Sequence, residues 1–313
     1  MGGPAEPEIS VAVRNFAAES PGDWRHILDQ ARAADAAGID RIFVVDHLVF
    51  GRDLSAYGQP AAGGVTGGMQ PTGPDGDWLE PLTALAAMAA VTTRVKLATN
   101  VLVAPLRPAV LLAKTAATID VLSHGRLELG VGVGWQEAEY RAVGVPFAER
   151  GRVLDETLAA CRALWTTDEV SMSGRGFELD AVHMRPKPTG PGGVPVWLGG
   201  RAIPAVARRL ATYGAGWIPW GVKTGDLAAA LDAMRPLVER HGRDFATVRI
   251  SAALPTVVAD GTLDLRRVLA DVPRLRALGV SDFRTLARLP RAEAAARDLL
   301  DELNGRFREA VAA

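Results

Sequence analysis

The chain holds a single cysteine, Cys161, in 313 residues, so no disulfide framework supports it and a reducing, cytoplasmic setting is the expectation. Cys161 sits on the apolar face of a helical stretch and reads as a buried structural thiol. Five histidines occur with no His-x-His pair and no cysteine cluster, which argues against a metal hydrolase, and no metal site is expected. Neither sign of charge dominates: 35 basic and 36 acidic residues leave −1, so nucleic acid is not an expected partner. No apolar run is long enough to span a membrane. Residues 1–10 carry neither a basic end nor an apolar stretch, and no signal peptide is expected. Lysine is missing from the strand ends, where a Schiff base would need it: Lys96 begins its strand and Lys114 lies inside a helix. No Gly-x-Ser-x-Gly elbow is present.

What is present is a βαβ unit from Val95 to Trp135. An apolar strand, 95–103, is bounded by Pro105. Pro108 opens a helix whose apolar positions Leu111, Leu112, Thr115, Ile119 and Leu122 recur at helical spacing, and Gly125 ends it. A second strand then runs from Arg126 into Gly130, Gly132 and Gly134. Parallel strands need a crossover of this length. The same alternation continues in both directions: strands at 9–13, 41–47, 194–198, 216–220, 248–258 and 280–286, with helices between them. Expected helices include one opening at Ser20–Asp23, 153–165, 204–211, 227–240, 265–278 and 291–312. Another helix is expected to start at Asp77, with Asp77 as N-cap and Glu80 completing a capping box. Eight such units favour one closed (β/α)8 barrel over residues 1–313; an open doubly wound sheet is the alternative. Two insertions stand out, a Gly- and Pro-rich loop at 48–77 and a small β-hairpin at 169–182.

In a barrel the active site lies at the carboxyl ends of the strands. There the sequence places Asn15, Asp46-His47, Asn100-Val101, Gly132 to Gln136, Gly199-Gly200-Arg201 and Pro219-Trp220. Gly130-Val131-Gly132-Val133-Gly134 does not make a dinucleotide fingerprint, because Trp135 and Glu137 stand where the last glycine should be. Its glycines either leave backbone N–H groups open to a flat cofactor with an anionic tail or serve only tight turns.

The chain resembles the bacterial luciferase-like flavin/deazaflavin superfamily, and within it the F420-dependent oxidoreductases. The resemblance is carried by Val45-Asp46-His47, Trp78-Leu79-Glu80-Pro81-Leu82-Thr83, Ala98 to Val103, Leu106-Arg107-Pro108, Leu122 to Arg126, Leu129 to Trp135, Phe147 to Gly151 and Trp197 to Gly200. It implies a (β/α)8 barrel with the ring of the coenzyme in its mouth. Asp46 matches a position that contacts the deazaflavin, and His47 one that acts as proton donor in a sugar-phosphate dehydrogenase. Asn100-Val101 matches a non-prolyl cis peptide behind the ring, Val133 and Gly134 match backbone positions beside the coenzyme, and Gly199-Gly200 the loop at its phosphate. Trp135 stands where that dehydrogenase has a catalytic glutamate, which speaks against sugar-alcohol oxidation. Trp135 and Trp220 either wall an apolar substrate pocket or serve plain packing. The expectation is therefore an F420-dependent reductase of a C=C or C=N bond in a small-molecule substrate. FMN in a monooxygenase or flavin reductase is the first alternative, and a non-catalytic coenzyme-binding protein the second. A homodimer without membrane attachment is expected.

Overall fold

The structure, a computed structural model, describes residues 6–259 and 262–313. Residues 1–5, half of the stretch read as lacking a leader, lie outside the described residues. Eight parallel strands close into a barrel: β1 (Glu8–Ala12), β2 (Arg41–Val44), β3 (Lys96–Val103), β4 (Leu127–Gly132), β5 (Val196–Gly200), β6 (Gly214–Pro219), β7 (Arg249–Ala253) and β8 (Val280–Thr285). They pair in sequence order, and β8 closes on β1 with Glu8 opposite Asp282 and Ser10 opposite Arg284. The open doubly wound alternative is thereby excluded. Among the described residues no helix is long and apolar enough to cross a membrane.

Among the described residues ten α-helices follow the strands: α1 (His26–Ala36), α2 (Pro81–Ala89), α3 (Ala109–Leu122), α4 (Glu137–Ala142), α5 (Arg150–Thr166), α6 (Pro204–Tyr213), α7 (Leu227–Glu239), α8 (Leu265–Val268), α9 (Val272–Ala277) and α10 (Glu293–Ala312). Their apolar stripes face the barrel. In α10, Ala296, Leu300, Leu303 and Phe307 are buried at helical spacing, and the Phe307 ring meets Phe283 of β8 at 5.3 Å. Three expectations change here. Asp77–Trp78 is not helical: it pairs antiparallel with Phe16–Ala17, because Pro81 sets the first turn and Glu80, as N-cap, accepts from the Thr83 N–H at 2.7 Å. The helix expected over 265–278 breaks into α8 and α9, with Pro273 in the first turn of α9, where its missing N–H costs no helical bond. The first helix opens at His26 rather than near Ser20. The hairpin insertion forms, Glu169–Gly174 against Phe177–His183.

The lower half of the barrel interior is charged rather than apolar. Arg41 is almost fully enclosed, with Glu8 at 2.6 Å, Glu128 at 2.9 Å and Asp282 at 2.5 Å. Lys96 and Arg249 bind the outer sides of the same two glutamates. Trp197 crosses the network, its indole N–H on Glu128 at 2.7 Å. Burial alone would raise the Glu8 carboxyl, but the charges of Arg41, Arg249 and Lys96 outweigh it and bring it from 4.5 to about 2. A folded-state pKa below the unfolded one contributes stability that is present above pH 4.5 and lost as the pH falls toward 2. Melting temperature should drop across that window, and Glu8→Gln should flatten the drop. An unchanged slope in the variant would remove Glu8 as its source.

Candidate active site

The carboxyl ends of β3, β4 and β5 surround one opening. Asn100, Val101, Val133, Gly134, Gly199 and Gly200 lie half-buried around it. The Asn100–Val101 peptide is cis, as the resemblance implies, and the β3–β4 register shifts there between Thr99 and Leu102. Val101 turns its side chain toward the glycines. A Cβ on Gly132 would come within 3.0 Å of Val101, and one on Gly199 within 2.7 Å. A Cβ on Gly200 would meet Val206 of α6 at 2.7 Å. These glycines are thus demanded by packing inside the protein, and a side chain at Gly200 would disturb α6 whatever ligand is bound.

His47 and Asp46 leave β2 side by side but serve different places. The Asp46 carboxylate is fully enclosed. It accepts from the Val103 N–H at 2.8 Å and from Arg107 at 2.7 and 3.0 Å, and Arg107 also reaches Glu80 at 2.7 Å. Burial holds its carboxyl above the usual range in spite of Arg107. Asp46 therefore braces the turn after β3 and does not face the opening. Asn15 plays a similar part at the end of β1, bonding Val45 from both ends of its amide.

The His47 ring is boxed by aromatic groups: Phe50 at 4.5 Å, Trp78 edge-on at 4.8 Å and Trp135 edge-on at 5.6 Å. Its Nδ1 lies 3.1 Å from Glu139 Oε2, while Glu139 Oε1 accepts from the Leu48 N–H at 2.8 Å. Glu139 is 1 % exposed. Among the described residues Nε2 of His47 has no hydrogen-bond partner. This pair, a histidine steadied by a buried carboxylate, was not legible as such. The stretch 135–150 reads as a polar connection, yet residues 137–142 form α4, which turns Glu139 and Tyr140 inward. Tyr140, an aromatic residue amid charged ones, is the only signal of a buried face there.

The loop over 48–77 lies across the opening. It contains two short 3-10 turns, Ser55–Gly58 and Pro60–Ala62, where no regular structure is expected from the sequence. Tyr57 stands edge-on to both Trp135, at 5.3 Å, and Trp220, at 6.4 Å. The Trp220 indole donates to the Gly63 carbonyl at 2.9 Å. Burial raises the Tyr57 phenol above its usual range. Trp135 is buried and Trp220 half-buried, so the two tryptophans join loop to barrel and form an apolar roof. Among the described residues no group of three or more histidine, cysteine, aspartate or glutamate side chains could hold a metal.

Comparison with known proteins agrees with this architecture. The family model described as luciferase-like monooxygenase matches residues 8–313. An uncharacterized protein of Mycobacterium tuberculosis is 29% identical over 281 residues, 87% of this chain and 88% of that one. An FMNH2-dependent dimethylsulfone monooxygenase of Pseudomonas putida is 29% identical over 197 residues, 62% of this chain and 53% of that one. Among solved structures, an F420-dependent secondary alcohol dehydrogenase in complex with an F420-acetone adduct superposes with a TM-score of 0.72 at 17% identity, covering 96% of this chain and 99% of that one. That likeness shows the barrel fold alone. A closed barrel and a family match over nearly the whole length lead to one conclusion: the chain belongs to the luciferase-like monooxygenase family, a family of oxidoreductases.

Proposed function

We propose that this protein is an F420-dependent oxidoreductase that reduces a C=C or C=N bond of a small organic substrate. The observation that carries the reading is the His47–Glu139 pair at the barrel mouth, a proton donor held by a buried carboxylate under an apolar roof. The residues present fit a flat ring with polar edges. Asn100 offers a carboxamide that has no hydrogen-bond partner among the described residues, and Trp135, Tyr57 and Trp220 close the space above. When bound, the reduced deazaflavin supplies a hydride.

The protein's own work is then to position and to protonate. Trp135 and Trp220 exclude water, which would otherwise weaken every electrostatic contact in the site. The carbon that accepts hydride leaves its partner atom in need of a proton, and His47 Nε2, which has no hydrogen-bond partner among the described residues, is placed to give it. Glu139 holds the ring's other nitrogen and so decides which nitrogen faces the substrate.

FMN is the second reading, favoured by the relative named as FMNH2-dependent. Equilibrium spectral titration separates the two. F420 should bind in the micromolar range or tighter, and FMN at least tenfold more weakly, a gap of about 1.4 kcal/mol. Equal or tighter FMN binding would overturn the F420 assignment. Tight binding of either ring with no turnover of any substrate would point to a carrier.

A further inference from the structure

The loop over 48–77 leaves β2 directly after His47, and its first arm has little apolar anchorage: Leu48 and Val49 are 36 % and 46 % exposed. Polar contacts hold it instead, and they come from one place. Glu139 accepts from the Leu48 N–H. Gln136, the N-cap residue of α4, is 3 % exposed, and its side chain does not cap its own helix. The carboxamide reaches 85 positions back along the chain. Its Oε1 accepts from the Gly51 N–H at 2.5 Å, and its Nε2 donates to the Val49 carbonyl at 3.4 Å. One buried side chain thus holds the backbone on both sides of Phe50.

The arm also lies close against α4. A Cβ on Gly51 would come within 2.8 Å of the Ala138 Cβ, so the approach of loop to helix requires glycine there. Between the two held residues, the Phe50 ring rests 4.5 Å from the His47 ring and 5.5 Å from Trp78. With Trp78 and Trp135 it completes the aromatic box around the imidazole. Because the arm buries little apolar surface, the hydrogen bonds of the Gln136 amide are a large part of what keeps it in place.

We propose that Gln136 is a positioning residue for His47. It makes no hydrogen bond to the imidazole; it pins Val49 and Gly51, so that the Phe50 ring stays on the imidazole and keeps water from it. The inference rests on the reading of His47 as proton donor. A donor shielded in this way holds one orientation and gives its proton to substrate rather than to solvent.

The test is carbethoxylation of the whole chain by diethyl pyrocarbonate, which attacks an unprotonated imidazole nitrogen within reach of water. Peptide mass spectrometry follows His47 against the exposed His183. Gln136→Met keeps the length of the side chain and loses both contacts. His47 should then react about tenfold faster, the factor by which losing a buried hydrogen bond raises an open population. Phe50→Ala should raise the rate as well, and the double variant should be no faster than Phe50→Ala alone, because Gln136 acts through Phe50. Additive effects, or a folded Gln136→Met protein whose His47 reacts at the wild-type rate, overturn the proposal. If that variant does not fold, Gly51→Ala decides: its Cβ presses the arm away from Ala138 and should expose His47 likewise, and an unchanged rate overturns the proposal. Turnover gives a reading that plain packing would not move. Gln136→Met should lower kcat about tenfold with coenzyme affinity unchanged, and should have no further effect in a His47→Asn background. A protein that binds neither F420 nor FMN overturns the coenzyme reading, while the His47 reaction rates still decide for or against Gln136.

Discussion

Arg41→Met should cost about 3–5 kcal/mol of stability, the range found when one partner of a buried ion pair is removed. The substituted side chain has similar length, so the loss is of charge and hydrogen bonds rather than volume. Three carboxylates are left behind. Glu8 keeps Lys96 and Arg249, and Glu128 keeps them at 3.6 Å, but among the described residues Asp282 keeps only the hydroxyls of Ser10 and Ser251. Against a total of roughly 5–15 kcal/mol, the change is a large fraction. At about 2–4 °C per kcal/mol the melting temperature should fall by roughly 10 °C. Adding Asp282→Asn should return part of the loss, because it removes the carboxylate that would be left without a salt-bridge partner among the described residues. A loss below about 1 kcal/mol would mean that Lys96 and Arg249 alone satisfy the barrel interior.

The second large effect falls on turnover. His47→Asn should reduce it by about 10²–10⁴-fold, the usual worth of a positioned general acid, with coenzyme affinity changed no more than a few-fold. Glu139→Gln keeps the size and the Leu48 N–H contact but loses the charge behind the imidazole. It should lower turnover about tenfold or more and displace the pH profile, which a merely structural contact would not do. Turnover that survives His47→Asn would assign the proton to water or another side chain. Collapse of coenzyme binding would make His47 a ligand of the ring instead.

The parts of this molecule that were legible in its sequence are those with a local pattern. Strand–helix alternation gave the eight strands of the barrel, and the motifs around Asn100 and His47 fall at the carboxyl ends of β3 and β2, the end proposed to carry the site. What was not legible depends on residues far apart. Arg41 meets Asp282 across 241 positions, and His47 meets Glu139 across 92; neither pair leaves a trace in spacing. Asp46 illustrates the same limit. Its place beside His47 suggested a shared opening, but Arg107, 61 positions on, draws its carboxylate away. Asp77 looked like a helix cap until Phe16–Ala17 supplied a strand for it to pair with.

The seam between β1 and β8 determines how the chain can come apart. Glu8 lies opposite Asp282, so the first strand and the last are joined through a separation close to the full length of the chain. Detaching β8 would open two unpaired sheet edges at once and strand Arg41 with one anion fewer. It would also uncover Phe283 and, behind it, Phe307 of α10. No stable seven-stranded remainder is left by such a step. The barrel should therefore lose its ends together rather than fray from one of them, and amide hydrogens in β1 and β8 should exchange at a common, slow rate despite lying near opposite termini.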